Sequence, residues 1–243
     1  MPSPSLWLVD LGVLPYSDAL ELQRAVARAR IAGTVPEDVL LLVEHPPVVT
    51  LGRSSRDAHL VASRELLGAR GVELFEVERG GDVTFHGPGQ LVGYPVIDLK
   101  RHRKDLHWYL RQVEEGLIRG LAPFGIEGGR AAGYTGVWVG HDEQVKGSGR
   151  KLASIGVHAR DWVTWHGFAL NVETDLSYFD LIVPCGIEGV TMTSVRRELG
   201  DGAPGFAAVR DGVARGLAAV FDLRPATVDA PEIREIVAAT AGA

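Results

Sequence analysis

Thiols are nearly absent from this chain: Cys185 is its one cysteine among 243 residues. That excludes an intrachain disulfide and a structural zinc cluster built on several thiolates. Long apolar runs are missing as well. The longest, such as Val39-Leu40-Leu41-Leu42-Val43, have the length of a strand, far short of the roughly 20 residues that cross a bilayer. The opening residues, Met1-Pro2-Ser3-Pro4, lack the basic region and apolar stretch of a signal peptide, so a cytoplasmic protein with no membrane partner is expected. Positive charge is not in excess: 25 Lys and Arg stand against 31 Asp and Glu, for a net charge of −6. Such a balance suits general nucleic-acid binding poorly, because that binding rests on neutralising phosphates. The local exception is Lys100-Arg101-His102-Arg103-Lys104.

What is present is ordinary for a globular chain with a sizeable core, with 46% hydrophobic and 23% charged residues. Internal repeats and low-complexity segments are not found. Ser17 is placed to cap a helix running to about Ile31, with Gly33 at its C-cap. Val39 to Val43 reads as a buried strand, broken by Pro46-Pro47 and resumed at Val48 to Leu51. A short helix from about Ser63 to Ala69 leads to a strand at Val72 to Val77, and Val92 to Leu99 reads as another. Asp105 caps a helix to about Leu121, with apolar residues at Leu106, Tyr109, Leu110, Val113, Leu117 and Leu121. Strands follow at Val137 to Val139, Leu152 to Ala159 and Trp162 to Val172, with a hairpin turn at Arg160-Asp161. Helices at about Pro204 to Val220 and Pro231 to Ala239 close the chain. The pattern predicts one α+β domain over residues 1–243 with a mixed sheet, whose part from about residue 200 onward is helical.

Few residues carry candidate chemistry. Cys185 lies in Val183-Pro184-Cys185-Gly186-Ile187, where proline and glycine place it in a turn; a buried cysteine is otherwise an inert small hydrophobe. Lys151 opens the apolar strand Lys151-Leu152-Ala153-Ser154-Ile155-Gly156-Val157. The preceding Gly147-Ser148-Gly149-Arg150 lacks the Gly-Lys-Ser/Thr order of a phosphate loop. The most distinctive segment runs from Arg79 through Gly80, Gly81, Asp82, Val83, Thr84, Phe85 and His86 to Gln90, with glycines dense enough for backbone to approach a ligand or simply to make tight turns. His86 and His166 lack a clustered third ligand, so no metal is expected.

Together these segments resemble the lipoyl(octanoyl) transferase family over about Glu44 to Met192. The resemblance is carried by Glu44-His45-Pro46-Pro47 with Thr50-Leu51-Gly52-Arg53, by Arg79 to Gln90 running into Tyr94-Pro95, and by Lys151-Leu152-Ala153-Ser154-Ile155-Gly156. His166-Gly167-Phe168-Ala169-Leu170-Asn171-Val172 and Pro184-Cys185-Gly186 complete it. It implies a fold shared with biotin and lipoate protein ligases, and no cofactor. It implies that Cys185 is the acyl-thioester nucleophile and that Lys151 lowers the thiol's pKa and moves protons. Substrate contacts are implied for Arg79 to His86, for Ser154, Ile155 and Gly156, and for Gly167, Phe168 and Ala169. The implied donor is octanoyl-acyl carrier protein. The implied acceptors are the lipoyl domains of 2-oxoacid dehydrogenase E2 subunits and the glycine cleavage H protein, served by a monomer. One departure is the stretch His141 to Arg150, where the family has a shorter turn; it reads as a mobile loop beside the lysine.

The implied reaction exchanges a thioester for an amide. A free thiol, with a pKa near 8.5, is only a few per cent ionised at neutral pH, and an ammonium within about 4 Å favours the thiolate. Backbone N–H groups near Gly156 or Gly186 are candidate oxyanion donors. Arg53, Arg56, Arg79 and the Lys100 to Lys104 run are candidates for guiding an acidic carrier. Three other readings stay open: an ATP-dependent ligase of the same fold, a non-catalytic carrier-binding protein, and a Cys–His hydrolase with His86 or His166 beside Cys185.

Overall fold

The computed structural model describes residues 4–140 and 148–241. It opens on a strand that the sequence reading passes over, β1 (Ser5–Val13), followed by α1 (Tyr16–Ala32). No side chain caps this helix. Pro15 precedes it with φ −51°, and Ser17 lies inside the first turn, bonded to Asp18 Oδ1 at 3.0 Å. Proline's fixed φ presets the helix entry without a cap. The other end is as expected: Gly33 takes φ 82° and its N–H turns back onto the carbonyls of Ala29 and Arg30.

Strands β2 (Asp38–Glu44) and β3 (Val48–Leu51) flank the Pro46-Pro47 break. Ser63 caps α2 (Arg64–Ala69), which leads to β4 (Glu73–Glu76), β5 (Val83–His86) and β6 (Gln90–Val96). Asp105 accepts from Trp108 N at the start of α3 (Leu106–Leu121). Next come β7 (Gly128–Gly129), β8 (Val137–Val139), β9 (Arg150–Arg160) and β10 (Val163–Asn171). The expected hairpin joins the last two, with its turn one residue later than read. Asp161 and Trp162 have φ of 52° and 64°, the mirror-image turn whose twist matches paired strands. β11 (Thr191–Met192), α4 (Val195–Leu199), α5 (Phe206–Val220), β12 (Arg224–Thr227) and α6 (Ala230–Ala241) complete the described chain. The last part, read as helical, therefore also contributes a strand.

Among the described residues the main sheet runs β12-β1-β2-β6-β10-β9-β8-β7, with β11 beside β9; a smaller sheet runs β4-β3-β5. β1 is parallel to both β2 and β12, and β11 is parallel to β9, while β2, β6, β10, β9, β8 and β7 pair antiparallel in turn. The expected α+β fold with a mixed sheet flanked by helices is what forms. The continuous apolar run of β2 follows from burial on both faces. Val39, Leu41 and Val43 pack with Leu22 and Val26 of α1 and Ile233 of α6. Leu40 and Leu42 pack with Tyr109 and Val113 of α3 and Val213 and Leu217 of α5.

Helices α3 and α5 meet backbone to backbone. A β-carbon at Gly216 would lie 2.1 Å from Gly116 O, and one at Gly120 would lie 2.7 Å from Gly212 O. Gly116 and Gly120, and likewise Gly212 and Gly216, stand four apart, so each pair shares one helix face. No helix among the described residues is long and apolar enough to cross a membrane.

Candidate active site

Lys151 enters β9 one residue from its start, between β8 and the short β11, and Thr193 N donates to its carbonyl at 2.9 Å. The chain leaving β10 returns through two short 3-10 helices, Leu176–Leu181 and Pro184–Gly186. The second carries Cys185 in the left-handed region, at φ 56° and ψ 20°. This geometry brings two residues 34 positions apart into contact: Lys151 Nζ donates to Cys185 Sγ at 3.0 Å. Ser154 Oγ, on the same strand, lies 3.6 Å from the sulfur. Cys185 is half-buried as a residue and Lys151 is 1% exposed, and both line the same cavity.

Two residues that the sequence reading missed hold the lysine. The ring of fully buried Trp138 lies under Nζ, 5.3 Å from ring centroid to nitrogen, where its electron-rich face favours the charged amine. Gly136, at φ 135°, leaves room for the lysine stem, since a β-carbon there would sit 3.0 Å from Lys151 Cε and 2.5 Å from Ala153 O. The sequence signal was Gly136-Val137-Trp138-Val139, legible as a strand but silent about what its aromatic faces. Burial alone pushes the Cys185 thiol up. The charge and hydrogen bond of Lys151, the Ser154 hydroxyl and the more distant Arg79 outweigh it and hold the thiol below its ordinary value.

The sulfur opens onto a cavity of about 560 Å³. Arg79, Gly80, Gly81, Asp82, Thr84 and His86 line it, as do Ser154, Ile155, Gly156, Gly167, Phe168 and Ala169. Val83 and Phe85, read as part of the same contact segment, do not. Alternate residues of β5 face opposite sides, and these two are buried in a separate core with Val49, Phe179 and Leu181. Gly186, a candidate oxyanion donor, already gives its N–H to Val183 O at 2.9 Å. Arg79 is 7% exposed and spends its guanidinium on Thr50 O, Thr50 Oγ1 and Gly80 O, so it is buried away from any approaching carrier.

The basic run is largely neutralised. Lys100 faces Asp98, Arg101 bonds Pro36 O beside Glu37, His102 bonds Asp38 at 2.8 Å and Arg103 pairs with Asp105. Arg53 and Arg56 remain exposed. Most of the proposed loop at 141–150 lies outside the described residues, but Arg150 does not. It grips Glu198 through Nε and Nη2, both at 2.8 Å, and so anchors β9 to α4. Among the described residues no cluster of three His, Cys, Asp or Glu side chains is gathered for a metal ion.

A buried polar network backs the cavity. His45 Nδ1 donates to Leu14 O at 2.7 Å, so its Nε2 accepts from Tyr94 OH at 2.8 Å. His86 Nδ1 bonds Gln90 Oε1, Gln90 donates to Asn171, and Asn171 donates to Thr193 O beside the lysine strand. Neither His86 nor His166 bonds Cys185 among the described residues, which leaves a Cys–His pair unsupported. Burial pushes His45 down to about 4 and His86 down to about 3. Unfolding frees both to titrate near 6.5, so the unfolded chain binds more protons below that pH. Stability is therefore expected to fall as pH drops from about 6.5 toward 4, by about 1.4 kcal/mol per pH unit for each histidine. Urea midpoints taken from pH 7.5 to 5 test this, and His45→Gln should flatten part of the slope.

Sequence and fold comparisons place the chain among known proteins. Residues 15–218 match the lipoyl protein ligase A/B catalytic domain. The octanoyltransferase of Rubrobacter xylanophilus is 54% identical over 195 residues, covering 79% of this chain and 83% of its own. That of Chloroflexus aggregans is 48% identical over 222 residues, covering 91% of this chain and 97% of its own. In fold alone, the bi-partite lipoate protein ligase of Thermoplasma acidophilum superposes with a TM-score of 0.73 at 17% identity, over 97% of this chain and 91% of its own. The chain belongs to the lipoyl protein ligase A/B catalytic family and, within it, to the octanoyltransferases, acyltransferase enzymes of protein lipoylation.

Proposed function

We propose that the chain moves an octanoyl group from octanoyl-acyl carrier protein onto Cys185, and from Cys185 to a lysine of a lipoyl-domain protein. The observation that carries this reading is the 3.0 Å contact between a thiol and a buried lysine amine that line the same cavity. The thiolate attacks the donor thioester, and the carbon–sulfur bond to the carrier breaks. Lys151 gives its proton to the departing carrier thiolate and becomes neutral. A neutral acceptor amine then attacks the Cys185 thioester. Its proton passes to Lys151, the amide forms, and Cys185 leaves as thiolate, restoring the starting pair.

With the Gly186 N–H occupied, the Lys151 ammonium is the charge nearest the oxyanion in the first step. The apolar part of the cavity suits an eight-carbon chain, whose burial at about 0.8 kcal/mol per methylene gives several kcal/mol of binding. The acceptors in this reading are the lipoyl domains of 2-oxoacid dehydrogenase E2 subunits and the glycine cleavage H protein. A free thiol nucleophile suits a reducing setting such as the cytoplasm.

Incubation with octanoyl carrier protein, read by intact mass, should add one octanoyl group to the chain and none to Cys185→Ser. ATP with free octanoate should add nothing to an acceptor lipoyl domain. Product in that second reaction would favour an adenylate-forming ligase and overturn the proposal.

A further inference from the structure

Beside the reacting sulfur lies a hydrogen-bonded His–Asp pair that the two steps above leave unused. His59 ends a single-turn helix, Asp57–His59, and its Nδ1 is 2.6 Å from Asp82 Oδ2. The other Asp82 oxygen accepts from Val83 N at 2.7 Å, so the carboxylate is held on both sides. Both side chains are largely covered, at 17% and 10% exposure. They press on Gly186, the residue after the cysteine. A β-carbon there would fall 2.5 Å from Asp82 Oδ2 and 3.0 and 3.1 Å from Cε1 and Nδ1 of His59.

The backbone of the same histidine holds the near limb of the turn. Val183 N donates to His59 O at 2.8 Å, and Leu60 bridges to Ile182. Between these two holds the chain makes consecutive left-handed residues, Cys185 at φ 56° and Gly186 at φ 66°. A cysteine in that region costs on the order of 1 kcal/mol or more and stays there only where its surroundings impose it.

We propose that the His59–Asp82 pair is the positioning device of the nucleophile turn: it fills the side onto which the turn would relax, and so keeps Cys185 Sγ against Lys151 Nζ. Neither side chain takes part in the acyl transfer itself. The proposal rests on Cys185 being the acyl-carrying residue. The charged and polar groups facing the sulfur are Lys151 and Ser154 from β9 and Arg79 from the segment before β5, with Asp82 and His59 behind the turn.

Position and charge make opposite forecasts for one of the two residues. As a bare charge, Asp82 opposes ionisation of the nearby thiol, so deleting it would ease ionisation. As a support, its loss lets the sulfur drift from the ammonium and makes ionisation harder. The test is the pH dependence of Cys185 alkylation by iodoacetamide in the full chain, for His59→Ala and Asp82→Ala. Both are expected to move the alkylation midpoint upward by about one pH unit. Both should slow loading from octanoyl carrier protein roughly 10- to 100-fold, with KM for the carrier unchanged.

Asp82→Asn keeps the contact without the charge, so its midpoint should stay level or fall and should not rise; it also serves if an alanine variant fails to fold. A downward midpoint in Asp82→Ala, an upward midpoint in Asp82→Asn, or no movement in either alanine variant overturns the proposal. Because alkylation reads the thiol without acyl transfer, that failure is distinct from failure of the nucleophile reading, which would appear as octanoyl loading of Cys185→Ser.

Discussion

Lys151→Met is expected to slow octanoyl loading of Cys185 about 1,000-fold at pH 7, within the range set by losing a proton-transfer partner. Methionine follows the lysine stem and fills the space over Trp138 without charge, so the fold should tolerate it. Two effects combine. In the intact enzyme the thiol is held below its ordinary value, so loading should rise along a limb that levels off at a lower pH than a free thiol would allow. Without the ammonium, that limb moves up toward the ordinary thiol value near 8.5. High pH then restores thiolate but not the proton that the leaving carrier thiol needs. Quenched-flow intact mass between pH 6 and 9.5 separates the two. Full recovery at pH 9 would reduce Lys151 to an ionising group alone, and an unmoved limb would refute the ion pair.

Arg79→Met is expected to lower the unfolding free energy by about 3 kcal/mol, because a buried carbonyl, a part-buried carbonyl and a buried hydroxyl lose their donor at about 1–3 kcal/mol each, only partly offset by local repacking. For a chain of this size that corresponds to a drop in thermal midpoint of roughly 6–12 °C. The loop that follows β3 depends on the same residue. Gly52, Arg53 and Ser54 give their N–H groups to the carbonyls of Asp82, Arg79 and Gly81, so loosening Arg79 loosens the wall of the cavity. Arg79→Lys should not rescue, since one ammonium lacks the planar fork that reaches both Thr50 and Gly80. Calorimetry of both variants measures the effect, and a drop under about 2 °C would contradict it.

Much of the site was legible because its residues sit in motifs with local meaning. Cys185 between proline and glycine reads as a turn, and Lys151 at the head of an apolar run reads as a strand end. The hairpin of β9 and β10 is announced by two apolar runs meeting at Arg160-Asp161. What was not legible depends on partners far along the chain. The basic run at Lys100 to Lys104 looks free in sequence, yet Glu37 and Asp38 more than 60 positions away neutralise part of it. Trp138 matters only because β8 lies beside β9, and His59 only because its turn folds against Gly186. Val83 and Phe85 were grouped with their neighbours because the segment was read as one unit, whereas a strand sends alternate residues to opposite sides. β12 is a four-residue, largely exposed edge strand, and β1 beside it is exposed toward its end, so apolar patterning is weak in both.

The glycine contact between α3 and α5 bears on the shape of the cavity. The first turns of α3 carry Leu106, His107 and Leu110 on one bank of the cavity. Where two helices touch main chain to main chain, there are no side chains between them to compress or swing. That bank is an anvil, fixed to the C-terminal third of the molecule. Larger residues at those glycines would push α3, and that bank with it, away from α5 and so reshape the slot.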